Sequence, residues 1–310
     1  MILAAVHAPP SRWASRLGCV LAQLLALLLL TPALSGCAWL DSKQRELALR
    51  PTPGQPADFK GLRPGDERYL VPVPAANPNS TPQQLAMWWL PHPDPNAPTL
   101  LYLHGTFRTL YQNLPKLDPL REAGFAIVAV DYRGWGDSTY LVPSEDTIMA
   151  DAWLAWTELT RLQPDPGRRV LYGHSMGGAV AVDLASQLHG GSDYGALVIE
   201  STFSRMSDVA AAAGFWGRIA AALTTLKFDS AAKIGRVDAP LLMLHGTEDR
   251  TVPIEVGRKL RDAAPPGVRW VELPGSHSRL QSQAPEAYQQ ALRQLISELK
   301  PPIAPIKTTP

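Results

Sequence analysis

Cysteine is nearly absent from this chain, with Cys19 and Cys37 the only two in 310 residues. A disulfide framework is therefore excluded as the basis of the fold. An excess of charge of one sign is missing too. Lys and Arg number 29 against 28 Asp and Glu, a formal net charge of +1, and the basic residues are scattered without a block. That pattern leaves no electrostatic footprint for phosphate backbones, so no nucleic-acid partner is expected. Charged residues make up only 18% of the chain, while hydrophobic residues make up 45%, enough for one large core or two small ones. No internal repeat is visible. Proline, by contrast, is plentiful at 30 residues, many of them between Pro51 and Pro98 or in the last ten positions.

The one long apolar run lies at the start. Leu17 to Leu30 is interrupted only by Gln23, follows Arg12 and Arg16, and ends in "LSGC", Leu34 to Cys37. The run is short for a membrane span and has the length of a signal-peptide core. The segment resembles a bacterial lipobox. The resemblance implies a signal peptide over 1–36, removal of Cys19 with it, and acylation (palmitate among the chains) of Cys37. Ala38, not Asp, follows the cysteine, which by the same resemblance favours the outer membrane, facing the periplasm. Residues 37–66 read as the lipidated cysteine and a tether, because "RPTPGQPADFKGLRPGD" carries too many breakers for a helix. Residues 300–310 read as a disordered tail.

Between these ends, strand candidates alternate with helix candidates. The strands are Arg68–Pro72, Leu85–Leu90, Thr99–Leu103, Phe125–Val130, Arg169–Tyr172, Ala196–Ile199, Pro240–Leu244 and Arg269–Leu273. Several are unbroken apolar runs, as parallel strands buried on both faces require. Ser144–Leu162 opens with a capping serine and acidic residues and stops before Pro164, while Pro285–Leu299 opens on proline and keeps Tyr288, Leu292, Leu295, Ile296 and Leu299 on one face. No helix separates the first two strands, so they are expected to form an antiparallel hairpin at one edge. The fold class is α/β: a mostly parallel eight-stranded sheet flanked by helices, over 67–299.

Gly173-His174-Ser175-Met176-Gly177 fits G-x-S-x-G, with a strand before it and a helix after it. Such an elbow is tight enough to exclude side chains two positions before and after the serine, and Gly178 would let the helix approach the sheet. Ser175 is the candidate nucleophile. It needs a base, and of seven histidines His277 alone sits in the loop between the last strand and the final helix. Asp249, just past the strand Pro240–Leu244, is the candidate third member, with Glu248 the alternative acid. The order Ser175, Asp249, His277 is the one an α/β-hydrolase uses. The oxyanion donors are expected to be the backbone N–H groups of Met176 and Thr106, with Phe107 second to Thr106. Asp131, at the end of another strand, is expected to hold the turn before Gly134 and Gly136.

The segments "LYLHGT", "VAVDYRGWGDS", "LYGHSMGG", "VIESTFSRMSDVA", "KFDSAAKIGRVDAPLLMLHGTEDRTVP" and "PGSHSRL" together resemble the α/β-hydrolase superfamily, and most closely its Bem46-like branch. The resemblance implies the α/β-hydrolase fold and a Ser-His-Asp hydrolase of carboxylic ester or thioester bonds, without metal or cofactor. Where several relatives carry Asn or Asp soon after the histidine, this chain has Ser278 and Arg279. A small helical lid is expected over about 204–230, with Phe215 and Trp216 on it; these two, Phe107 and Trp135 are candidate substrate-binding residues. A monomer acting on a small-molecule or acyl ester is expected, held to the membrane by its lipid. A serine peptidase of the same fold and a catalytically silent binding module are the alternatives.

Overall fold

A computed structural model describes residues 38–75 and 77–301. The expected signal peptide, Cys37 and most of the expected tail therefore lie outside the described residues. Two compact units are distinguished, one ending at Gln44 and one running from Arg45. Of the first, residues 38–44 are helical, and all that follows concerns the second. No helix among the described residues is long and apolar enough to cross a membrane.

The second unit is built on one eight-stranded sheet: β1 Glu67–Val73, β2 Gln83–Leu90, β3 Thr99–Leu103, β4 Ala126–Asp131, β5 Arg169–His174, β6 Ala196–Glu200, β7 Leu241–Gly246 and β8 Arg269–Leu273. Their order is β1-β2-β4-β3-β5-β6-β7-β8. β1 pairs antiparallel with β2 at the edge, as expected, and β2 in turn pairs antiparallel with β4. The remaining pairings are parallel.

Successive residues of the central strands enter opposite cores. Leu101, Leu103 and Leu171 face one cluster, and Leu100, Tyr102, Val170 and Tyr172 the other. This two-sided burial is why those strands read as continuous apolar runs. α1 (Leu110–Ala123) and α8 (Pro285–Glu298) cover the second cluster, and α2 (Glu145–Leu162) and α3 (Met176–Ala185) the first. Ser144 caps α2 by accepting from Thr147 N–H at 3.2 Å, and the helix stops at Gln163, just before Pro164. α1 forms despite Pro115 and Pro119 in its interior. Its packing through Leu117 and Leu120, both fully buried, outweighs the lost helical hydrogen bonds.

Residues 45–66, expected as a tether, run along this domain. Leu49 is fully buried, Pro53 bridges Gly136, and Phe59 stacks edge-on against Tyr111 at 4.6 Å. After β6, where a small helical lid was expected, come two short helices, α4 (Met206–Ala212) and α5 (Phe215–Leu223). They cross at Gly217, where a Cβ would overlap the Ala210 carbonyl. The carboxylate of Glu145 ties the end of this segment down by accepting from Lys227 and Phe228 N–H at 3.0 and 3.1 Å. α6 (Ile254–Asp262) and α7 (Leu280–Gln283) complete the set.

Candidate active site

The elbow between β5 and α3 is as tight as the glycines require. Ser175 adopts φ 56°, ψ −122°, a conformation a non-glycine residue holds only under constraint from its surroundings. A Cβ at Gly173 would overlap the Gly177 carbonyl, and one at Gly177 would overlap the Leu103 carbonyl. One at Gly178 would overlap the Thr202 side chain, so this third glycine admits the residues that follow β6. Two hydrogen bonds fasten the turn: Ser175 N–H donates to the Glu200 carbonyl, and Gly178 N–H to the Ser175 carbonyl, both at 2.9 Å.

Ser175 stands at the C-terminal edge of the sheet, and the loops after β7 and β8 converge on it. His277 Nε2 lies 3.0 Å from Ser175 Oγ, and His277 Nδ1 lies 2.7 Å from Asp249 Oδ2. The three residues singled out for these roles are thus brought into one hydrogen-bonded chain. Asp249 is itself fixed, because its Oδ1 accepts from Thr251 and Val252 N–H at 2.9 and 2.8 Å. That leaves Oδ2 for the imidazole, which sets Nδ1 as the protonated nitrogen and Nε2 as the acceptor toward the serine. Glu248, the alternative acid, is exposed in the same loop and forms no hydrogen bond or ion pair with His277.

His174, the variable residue of the elbow, has a role that its position in the motif did not reveal. Its Nε2 donates to the His277 carbonyl at 2.9 Å, so the loop carrying the candidate base is held from the elbow itself. Burial, with the Lys116 charge second, pushes the His174 pKa well below its usual value, which keeps it neutral. This hydrogen bond is a local support for His277 where the chain has Ser278 and Arg279.

Beneath the elbow lies a buried polar cluster that sequence reasoning missed. Lys116 of α1 forms an ion pair with Glu200 at the end of β6, and both are almost wholly buried. The second Glu200 oxygen accepts from the hydroxyls of Tyr172 and Tyr288. Lys116 also reaches Gln281 Oε1 at 3.3 Å, and Gln281 Nε2 donates to the Ser278 carbonyl at 3.3 Å. On the other side of β3, His104 and Asp131 face each other at 3.5 Å, both buried. Asp131 accepts from Leu110 N–H at 2.9 Å, and its carboxyl occupies the space a Gly136 side chain would need. Expected to hold the turn before Gly134 and Gly136, it does so through its backbone carbonyl, which accepts from the Ser138 hydroxyl, while its carboxyl group ties the start of α1.

A cavity of about 890 Å³ opens over Ser175. Thr106 and Phe107 line it, Phe107 with φ 74°, which turns the chain sharply next to the serine. Gly105 behind them is so close that a Cβ would come within 3.0 Å of Ser175 Cβ. Met176 begins α3 directly after the serine. Trp135, expected at the entrance, is instead fully buried, edge-on to His104 at 5.5 Å and to Tyr132 at 6.1 Å. Phe215 and Trp216, also expected near the substrate, lie on α5 at 69% and 78% exposure and do not line this cavity. Among the described residues no group of three His, Cys, Asp or Glu side chains is placed to hold a metal ion.

Residues 94–230 match the family model described as serine aminopeptidase, S33. The chain is 34% identical over 182 residues to human protein ABHD12B, covering 54% of this chain and 50% of that protein. It is 31% identical over 214 residues to the lysophosphatidylserine lipase ABHD12 of Danio rerio, covering 62% and 54%. The chain thus spans about half the length of these relatives. In fold it resembles the Pyrococcus furiosus esterase Pf2001, with a TM-score of 0.63 at 17% identity, over 80% of this chain and 98% of that one.

Proposed function

We propose that this member of the α/β-hydrolase superfamily is a serine hydrolase that cleaves carboxylic ester or thioester bonds, tethered to a membrane through acylated Cys37. The observation that carries the hydrolytic part is the chain Ser175 Oγ to His277 Nε2 to Asp249, with distances of 3.0 and 2.7 Å. In the mechanism, His277 Nε2 takes the proton of Ser175 as Oγ attacks the acyl carbon. Asp249 stabilises the imidazolium that results. The oxyanion is held by Met176 N–H and by Thr106 N–H, with Phe107 N–H the neighbouring donor. His277 then protonates the leaving alcohol or thiol, and later takes a proton from the water that releases the acid.

The names of the relatives, a lipase and an esterase, support ester substrates, and the description of the matching family supports a second reading, amide cleavage at a peptide N-terminus. A fluorophosphonate probe tests the nucleophile: wild type is expected to label and Ser175→Ala is not. Equal labelling of both would overturn the assignment. Turnover of an aminoacyl nitroanilide in preference to nitrophenyl esters would favour the peptidase reading.

The tether rests on "LSGC" at Leu34 to Cys37 and on the apolar run before it. Ala38 supports the outer membrane, facing the periplasm. Loss of radiolabelled palmitate and of membrane fractionation in Cys37→Ser is the expected result. Retention of both would rule out the lipid anchor.

A further inference from the structure

Three guanidinium groups line the cavity that contains Ser175. Arg108 comes from the loop after β3, Arg250 from the loop after β7 and Arg279 from the loop after β8. None of the three side chains takes part in a hydrogen bond or ion pair among the described residues. Other arginines of the domain are paired with carboxylates, among them Arg121 with Asp66, Arg133 with Asp151 and Arg258 with Glu272. A fourth cation, Arg50, sits over the ring of Phe107, a lining residue of the same cavity, at 4.8 Å. Two carboxylates face these charges from the cavity wall. Asp249 is committed to His277 and two backbone N–H groups, which leaves Glu248 as the one carboxylate able to oppose them.

A single solvated arginine at a surface loop is ordinary. Three without partners, from three separate loops that line the cavity of the candidate nucleophile, form a cationic mouth in a chain whose net charge is only +1. Guanidinium groups bind carboxylate and phosphate through paired N–H donors. We propose that the site selects esters carrying an anionic group, carboxylate or phosphate, within a few bonds of the scissile acyl carbon, read by Arg108, Arg250 and Arg279. This rests on the hydrolase reading and adds a substrate class to it.

Two matched substrate pairs test it. The first is nitrophenyl butyrate against nitrophenyl hydrogen glutarate, where the anion is on a small acyl group. The second is a monoacylglycerol against the lysophosphatidylglycerol of the same acyl chain, where the anion is the phosphate of a lipid headgroup. Wild type is expected to favour the anionic member of at least one pair in kcat/KM by roughly tenfold or more, the ratio shrinking in about 0.5 M salt. Arg→Gln at each of the three positions is expected to reduce that ratio by about 3–5-fold, mainly through KM, as for partly exposed charge pairs. Preference in the first pair identifies a small anionic ester, and in the second a lipid headgroup. Turnover of the neutral members with no preference in either pair, or a ratio untouched by the triple substitution, overturns this proposal alone. Turnover of no member overturns the hydrolase reading and this proposal with it.

Discussion

Lys116 and Glu200 form a buried ion pair directly under the elbow, and the backbone carbonyl of the same Glu200 accepts the Ser175 N–H at 2.9 Å. The pair therefore joins α1, the end of β6 and the candidate nucleophile in one network. Removing one member of such a pair strands the other charge in the interior, at about 3–5 kcal/mol. Lys116→Met is expected to lose stability of that order in urea unfolding, and the double variant Lys116→Met/Glu200→Gln to recover much of it. Additive losses would show that the two residues act independently. Because the network also reaches the His277 loop through Gln281, kcat is expected to fall in Lys116→Met with KM little changed.

Asp249→Asn keeps an oxygen for the N–H groups of Thr251 and Val252 but presents an amide to His277 Nδ1. The imidazole is then held in the wrong tautomer, with its proton toward Ser175. A loss of kcat by roughly 10⁴, with a near-wild-type urea midpoint, is the expected outcome in ester hydrolysis. A collapse of stability instead would mean that the loop is held by the charge of Asp249.

Asp131 and His104 should be visible in stability against pH. Burial raises the Asp131 pKa from 3.8 to about 8 and lowers that of His104 from 6.5 to about 4. Between about 4 and 8 the folded state keeps a proton on Asp131 that the unfolded chain releases, so this contribution is full below about 4 and is lost as pH rises to 8. His104 acts oppositely: its contribution is present above 6.5 and is lost as pH falls toward 4. From pH 6.5 to 8 Asp131 acts alone, and stability should decline. In Asp131→Asn that decline is expected to disappear, measured as the urea midpoint at several pH values. An identical slope in both proteins would refute it.

At Gly105 a methyl group would stand 3.0 Å from Ser175 Cβ and 3.2 Å from the His174 carbonyl. Gly105→Ala must therefore displace the loop carrying Thr106 by a few tenths of an ångström. The fold can absorb that movement, but an oxyanion donor cannot. The expected result is a loss of kcat of about 10-fold or more with a thermal midpoint close to wild type. Unchanged kcat would remove this loop from the oxyanion site.

Trp216, at 78% exposure, packs on little besides Phe215, with ring centroids 5.3 Å apart. Trp216→Ser is expected to shift stability by no more than about 0.5 kcal/mol in urea unfolding. A larger loss would mean that α5 is buried against something in solution.

The elbow and its partners were readable because their chemistry needs particular residues at particular places. Glycines at 173, 177 and 178 have no substitutes, and a base and an acid had to follow in loops after late strands. The central strands were readable for a simpler reason, their two-sided burial. α1 was obscured by Pro115 and Pro119, which mark a helix end in isolation and are overridden here by packing. Lys116 and Glu200 were hidden by their type, since charged residues usually belong to a solvated surface and only their pairing across 84 positions permits burial. Trp135 was misplaced because an aromatic beside a glycine turn can face either way, and the rings it packs on, His104 and Tyr132, are brought to it only by the fold. The antiparallel pairing of β2 with β4 depends on sheet order, which local patterns do not encode.

The glycines of the elbow have no room for even a methyl group, whereas Arg108, Arg250 and Arg279 project from three loops into open space. Mutational drift is thereby partitioned. Changes at the glycines cost the attacking group itself, but changes at the arginines leave the packing of the sheet alone. On the proposed reading, a lineage built on this scaffold can alter what it hydrolyses one loop at a time while its chemistry is inherited intact.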